Sequence, residues 1–186
     1  MRLVAWTGAD MAHRLDDVIS VYGQAMGYTA AMLESRRGYM ATHVHRPGFR
    51  AVATIDETGQ LLGFGYGYTS AGGQWWHDQV RSGLTRDDRR IWLADCFEIV
   101  ELHVRPSAQG YGIGSRQLAA LLRMAPGSRV LLSTPEADET ASRAWRLYRR
   151  FQFVDVLRHF YFPGDARAFA ILGRARVIPD QTLDAG

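Results

Sequence analysis

A single cysteine, Cys96, stands in a chain of 186 residues, so an internal disulfide framework is excluded and a reducing, cytoplasmic setting is the expectation. No stretch approaches the roughly 20 uninterrupted apolar residues of a membrane span. The N-terminal MRLVAWTGADMAHRLDD turns charged too early for a secretion signal. Internal repeats and low-complexity tracts are also missing. The net charge is only +3, which argues against a surface built for nucleic acid. Arginine supplies nearly all of the positive charge, in pairs such as Arg36–Arg37, Arg89–Arg90 and Arg149–Arg150, and a local phosphate site fits easily. His43 and His45 form an H-x-H pair with no further ligands at metal spacing, so they are expected as surface or helix-end residues and no metal is expected. Cys96 lacks a histidine partner and is expected in the core rather than as a nucleophile.

What is present is ordinary globular material, 47% hydrophobic and 22% charged, enough to bury a core in one domain. RLVAWT (2–7) reads as a strand. A helix from Asp10, capped by Asp10 or Thr7, carries Leu15, Val18, Ile19, Tyr22 and Met26 at spacings of three and four and ends at Gly27. A second helix spans roughly 30–44, before Pro47–Gly48. FRAVATID (49–56) and QLLGFGYGYTS (60–70) form a hairpin. In it Gly63, Gly65 and Gly67 leave one strand face bare to another chain or a ligand. Residues 71–90 are irregular and read as a loop with one helical turn, pinned by Trp75–Trp76 or lining a pocket with them. A strand runs from about 92 or 96 to 104, a helix from about 113 to 124, a strand from 128 to 134 and a helix from 139 to 151. Two strands, 153–162 and 166–175, close the order β-α-α-β-β-β-α-β-α-β-β of a mixed α/β single domain over 1–175, with 176–186 as a tail.

The segment QGYGIG, Gln109 to Gly114, joins a strand to a helix. Three alternating glycines let the backbone present several N–H groups inward, and a helix start adds its positive dipole end. The alternative is a turn that needs glycine for packing alone. The spacing G-x-G-x-G is not the dinucleotide G-x-G-x-x-G, and no Gly-Lys-Ser/Thr follows, so a P-loop is excluded.

The strand ELHV, then RPSA, then Gln109-x-x-Gly112-x-Gly114 resembles the acetyl-CoA-binding motif of the GNAT N-acetyltransferases. AWRLYRRFQF (144–153) resembles that family's second signature, Ala-x-x-Leu-Tyr-x-Lys-x-Gly-Phe. Gln152 departs from the glycine of the signature, and Ala141 stands where an asparagine often contacts the cofactor. The resemblance covers about residues 2–175 and implies a GNAT fold, a mixed central sheet with splayed strands and flanking helices. It also implies acetyl-CoA as cosubstrate, with Leu102, His103 and Val104 along the pantetheine arm and Gln109, Gly110, Tyr111, Gly112, Ile113, Gly114 and Ser115 around the pyrophosphate. The N–H of Leu102 is then the candidate donor to the thioester oxygen.

An amine must lose a proton before it attacks, so a carboxylate near the thioester helps. Glu98 lies eleven residues before Gln109, the spacing of the catalytic glutamate in the histone-acetylating branch of the family. Glu101 has opposite parity, so without a bulge the two cannot share a face. Tyr148 matches the signature tyrosine near the CoA sulfur and is the candidate acid; the alternative is a core tyrosine with a satisfied hydroxyl. The reading is acetyl transfer to a primary amine by direct attack in a ternary complex, the acceptor being a small molecule or a peptide amine. A catalytically silent acyl-CoA-binding sensor and an enzyme acting on charged tRNA stay open. Exposed aromatic strands near the C-terminus would permit a homodimer.

Overall fold

A computed structural model describes residues 1–176 of the chain; the expected tail beyond 176 lies outside them. Seven strands form one open sheet in the order β1-β2-β3-β4-β5-β7-β6. They are β1 (Arg2–Trp6), β2 (Arg50–Ile55), β3 (Leu61–Ser70), β4 (Cys96–Val104), β5 (Arg129–Pro135), β6 (Val154–Phe160) and β7 (Phe169–Ala175). All neighbours are antiparallel except β4 and β5, which run parallel over only Cys96–Glu98 against Arg129–Leu131. Beyond Glu98 the two strands part, and the sheet splits at its centre.

The N-terminal helical segment is two helices, α1 (Gly8–His13) and α2 (Leu15–Met26), broken at Arg14. Thr7 caps α1 through a reciprocal box with Asp10, each side chain meeting the other's backbone N–H. Gly27 ends α2 in the left-handed conformation. Helix α3 follows at Ala30–His43. Residues 71–90 are not a loop: α4 (Trp75–Gly83) and α5 (Arg86–Trp92) occupy them. Trp76, Val80 and Leu84 are buried at steps of four, and Thr85 accepts from the Asp88 N–H to start the second helix. Scattered charges between these anchors hide the period. Helices α6 (Ile113–Met124) and α7 (Arg143–Arg150) complete the chain.

Three apolar clusters assign the helices to faces. Helices α1–α3 cover the β1–β4 half through Val18, Tyr22, Met40, Phe64 and Tyr66. On the same face α4 and α5 cover the β5–β7 half through Trp76, Val80, Leu131 and Ile171. The opposite face holds α6 and α7 on Phe97, Ile99, Leu132 and Leu172, with Trp145 fully buried. The bare glycine face of β3 therefore meets neither another chain nor a ligand; added side-chain carbons there would meet Gln117 and Leu121 of α6. Cys96 is buried in the core as expected, and burial raises its thiol pKa.

Candidate active site

Strand β4 carries the site because its two ends behave differently. The register against β3 pairs Gly67 with Ile99 but Tyr66 with Glu101, so Val100 is an extra residue and β4 bulges. One added residue reverses the alternation. Glu98, Val100 and Glu101 consequently line one cavity on the α3/α4 face, while Ile99 packs in the core of the opposite face. The condition set by strand parity is thus met by a bulge, and the two carboxylates share a face. Gly67 makes the bulge possible: a side-chain carbon there would collide with the Glu98 carbonyl oxygen and the Phe97 ring.

Beyond the bulge the main chain decides which residues face the split. The Arg105 N–H donates to the Leu62 carbonyl at 2.8 Å, so Arg105, His103 and Glu101 direct their backbone groups to β3. Leu102 and Val104 then direct theirs to the open edge. Gln109 confirms this, donating to the Val104 carbonyl at 3.1 Å and accepting from Arg143 at 3.0 Å.

The open edge faces a groove of about 290 Å³ bounded by Leu102, Val104, the 109–115 turn and α7. Gly110 and Gly112 hold φ of 90° and 74°, values that disfavour any side chain, and they turn the chain into α6. No side chain caps α6, so its first-turn N–H groups point into the groove uncapped, a setting that favours an anion. Arg143 and Arg150 also line the groove. A pyrophosphate suits this donor set. Most of the residues expected at the cofactor converge here, Leu102, Val104, Gln109, Gly110, Gly112, Ile113, Gly114 and Ser115 among them. Two do not: Tyr111 is 67% exposed outside the groove, and His103 turns its backbone to β3 and its ring to the other face.

Tyr148 lines the groove from α7. A Schellman motif fixes it: the Phe153 N–H donates to the Tyr148 carbonyl, the Gln152 N–H to the Arg149 carbonyl, and the Phe153 ring meets the Tyr148 ring edge-on at 5.9 Å. Gln152 takes φ of 62° to close this cap, which explains why the related signature has glycine at that place. Burial, with a smaller contribution from the Glu101 charge, lifts the Tyr148 hydroxyl to about 12. Ala141 only donates its N–H to Asp138.

The cavity on the other face measures about 470 Å³ and lies between α3 and α4. Glu98 is 3% exposed at its floor, and its Oε2 has no hydrogen-bond partner among the described residues. Burial first, and then the Glu101 charge, pushes its pKa up to about 8. Glu101 accepts from His103 Nε2 at 2.6 Å, and the His103 ring is itself braced edge-on by Tyr22 at 5.0 Å. Tyr66, Tyr68, Trp75, Trp76 and Ser133 form the walls, and Trp76 Nε1 donates to Ser133 Oγ at 3.2 Å on the β5 side of the split. The tryptophan pair is therefore pocket lining as well as an anchor. His43 is a helix-end residue, the last of α3, but partly buried: its Nδ1 shares a hydrogen bond with the Tyr66 hydroxyl at 3.0 Å, and burial, aided by Arg46, lowers its pKa to about 4. Sequence reading missed His43, Tyr66 and Tyr68. The alternation GFGYGY held the signal, since large residues between glycines must all project from one face.

The fold recurs in known proteins. The family model for the acetyltransferase (GNAT) family matches residues 15–153. The GCN5-like protein acetyltransferase Rv2170 of Mycobacterium tuberculosis is 40% identical over 89% of this chain and 93% of its own. A ribosomal-protein-alanine N-acetyltransferase from Brucella melitensis shares the fold at a TM-score of 0.63 and 18% identity, over 94% of this chain and 99% of that one. An aminoglycoside 6'-N-acetyltransferase complexed with coenzyme A does so at 0.64 and 14%, over 96% and 98%. Family model, curated relative and fold agree: the chain belongs to the GNAT acetyltransferase family.

Proposed function

We propose that the protein transfers the acetyl group of acetyl-CoA to a primary amine by direct attack, with both substrates bound at once. The bulge carries this reading: Glu101 faces the acceptor cavity while the next residue, Leu102, faces the cofactor groove. Two substrates approaching from opposite faces meet at the split between β4 and β5 without an acyl-enzyme. Among the described residues the groove holds no thiol to form one, since the single cysteine, Cys96, is buried in the core.

Leu102 donates its backbone N–H to the carbonyl oxygen as negative charge develops there, and a fixed dipole needs no reorganisation to do so. Glu98 accepts the proton that the ammonium must lose, directly or through water, and its raised affinity suits a base working near pH 8. Tyr148, neutral at working pH, gives its proton to the departing thiolate and recovers one from solvent. The new bond is N–C, the broken bond is C–S, and the products are an amide and a free thiol. Glu101, held by His103, keeps the incoming amine charged until it reaches Glu98.

The test is free-thiol release from acetyl-CoA across a panel of primary amines. At least one amine should be acetylated, and Tyr148→Phe and Glu98→Gln should each lower kcat by about a hundredfold. Acetyl-CoA binding without amine-dependent thiol release on any member of the panel would sink the proposal.

A further inference from the structure

The acceptor cavity contains more charge than proton transfer requires. Several arginines elsewhere are engaged, Arg37 by Asp16, Arg149 by Glu139 and Asp155, Arg167 by Asp165. Arg36 and Arg46 both line the acceptor cavity, and neither has an ion-pair partner among the described residues. Arg36 is exposed on α3, at the rim, while Arg46 follows that helix and lies over the Tyr68 ring at 5.9 Å. Tyr39 and Trp75, 57% and 58% exposed, flank the same wall. The cavity is therefore polarised, with carboxyl groups on β4 at its floor, guanidinium groups on the α3 side, and flat rings between. With Glu98 protonated below about pH 8 and His43 neutral, the positive charges outnumber the negative.

A polycationic acceptor would bring like charge against Arg36 and Arg46. A neutral alkylamine would leave both guanidinium groups unused. We propose that the acceptor is a small amine that also bears an anionic group, a carboxylate or a phosphate, held by Arg36 and Arg46 while its amine lies at Glu98 and Glu101. This inference rests on the acetyl-transfer reading and names its substrate class. Guanidinium groups suit either anion through paired N–H donors, and the aromatic walls suit a flat body between the two ends.

The experiment compares matched amines: 4-(aminomethyl)benzoate with benzylamine, and phosphoethanolamine with ethanolamine. Thiol release gives kcat/KM, and calorimetry in the presence of CoA gives binding whether or not turnover occurs. The expected result is a preference of about ten- to a hundredfold for the anionic member of at least one pair. The pair that shows it identifies carboxylate or phosphate. That ratio should fall toward one in Arg36→Gln and in Arg46→Gln, and Arg36→Lys should restore part of it. Turnover with no preference in either pair, or a preference that survives both glutamine substitutions, overturns the inference and leaves acetyl transfer standing. Arginine-dependent binding of the anionic amine without acetylation keeps the inference and removes acetyl transfer instead.

Discussion

Burial of Glu98 has opposite consequences for catalysis and for stability. Its carboxyl holds a proton up to about pH 8 in the folded chain against 4.5 when exposed. Between those values the folded state binds a proton that the unfolded state has released, so stability declines as pH rises through the window and the loss is complete above about 8. A glutamine at this position has no such window. Glu98→Gln should therefore melt near the wild type at pH 5 and roughly 5 °C higher at pH 8. The wild-type kcat/KM should rise with pH up to about 8, and the same variant should lose that ascending limb. Parallel melting curves for the two proteins across that range would show that Glu98 is not desolvated. His103 acts at one remove, since its Nε2–H holds the Glu101 carboxylate. His103→Ala should raise KM for the amine more than it lowers kcat, and His103→Gln, which retains a donor, should recover part of the loss. An equal fall in kcat with KM unchanged would contradict that positioning role.

Two turns set the reacting groups, and both depend on left-handed backbone. At the C-terminus of α7, Gln152 occupies a conformation that costs a side chain about 1 kcal/mol relative to glycine. Gln152→Gly should stabilise the protein by up to about 1 kcal/mol in urea unfolding without moving Tyr148; a destabilised variant would mean that the glutamine side chain contributes something the cap geometry does not show. At the start of α6, Gly112 has φ of 74°, and an added methyl group would meet only the Arg116 guanidinium at 3.6 Å. Gly112→Ala therefore perturbs the backbone and not the packing. It should weaken CoA binding at least about tenfold. Calorimetry with CoA is the check, and unchanged affinity would exclude the 109–115 turn as the pyrophosphate cradle.

At the scale of the whole molecule, the 22 basic side chains are all arginine and lysine is absent. Incubation with acetyl-CoA should therefore add at most one hydroxylamine-resistant acetyl group to the enzyme itself, on the terminal amine, as read by intact mass; a stable acetyl group on any internal side chain would contradict this. The order of elements, the cradle and the α7 signature were legible in the sequence because each is local: glycine spacing, apolar period and cap residues act within a few positions. Helices α4 and α5 were not, because their anchors Trp76, Val80 and Leu84 are separated by charges and take their meaning from the β5–β7 half they cover. His43 stayed hidden because nothing near it in sequence announces Tyr66, its hydrogen-bond partner. By itself the sequence determined the family resemblance and the glycine turn between β4 and α6. Only the tertiary structure decided how the two carboxylates stand. A strand's period of two puts Glu98 and Glu101 on opposite faces, and the register of β3 against β4 inserts Val100 and brings them together. That register is a pairing between distant strands, set by the glycines of β3 and the packing of α6 upon them, and no local pattern in β4 encodes it.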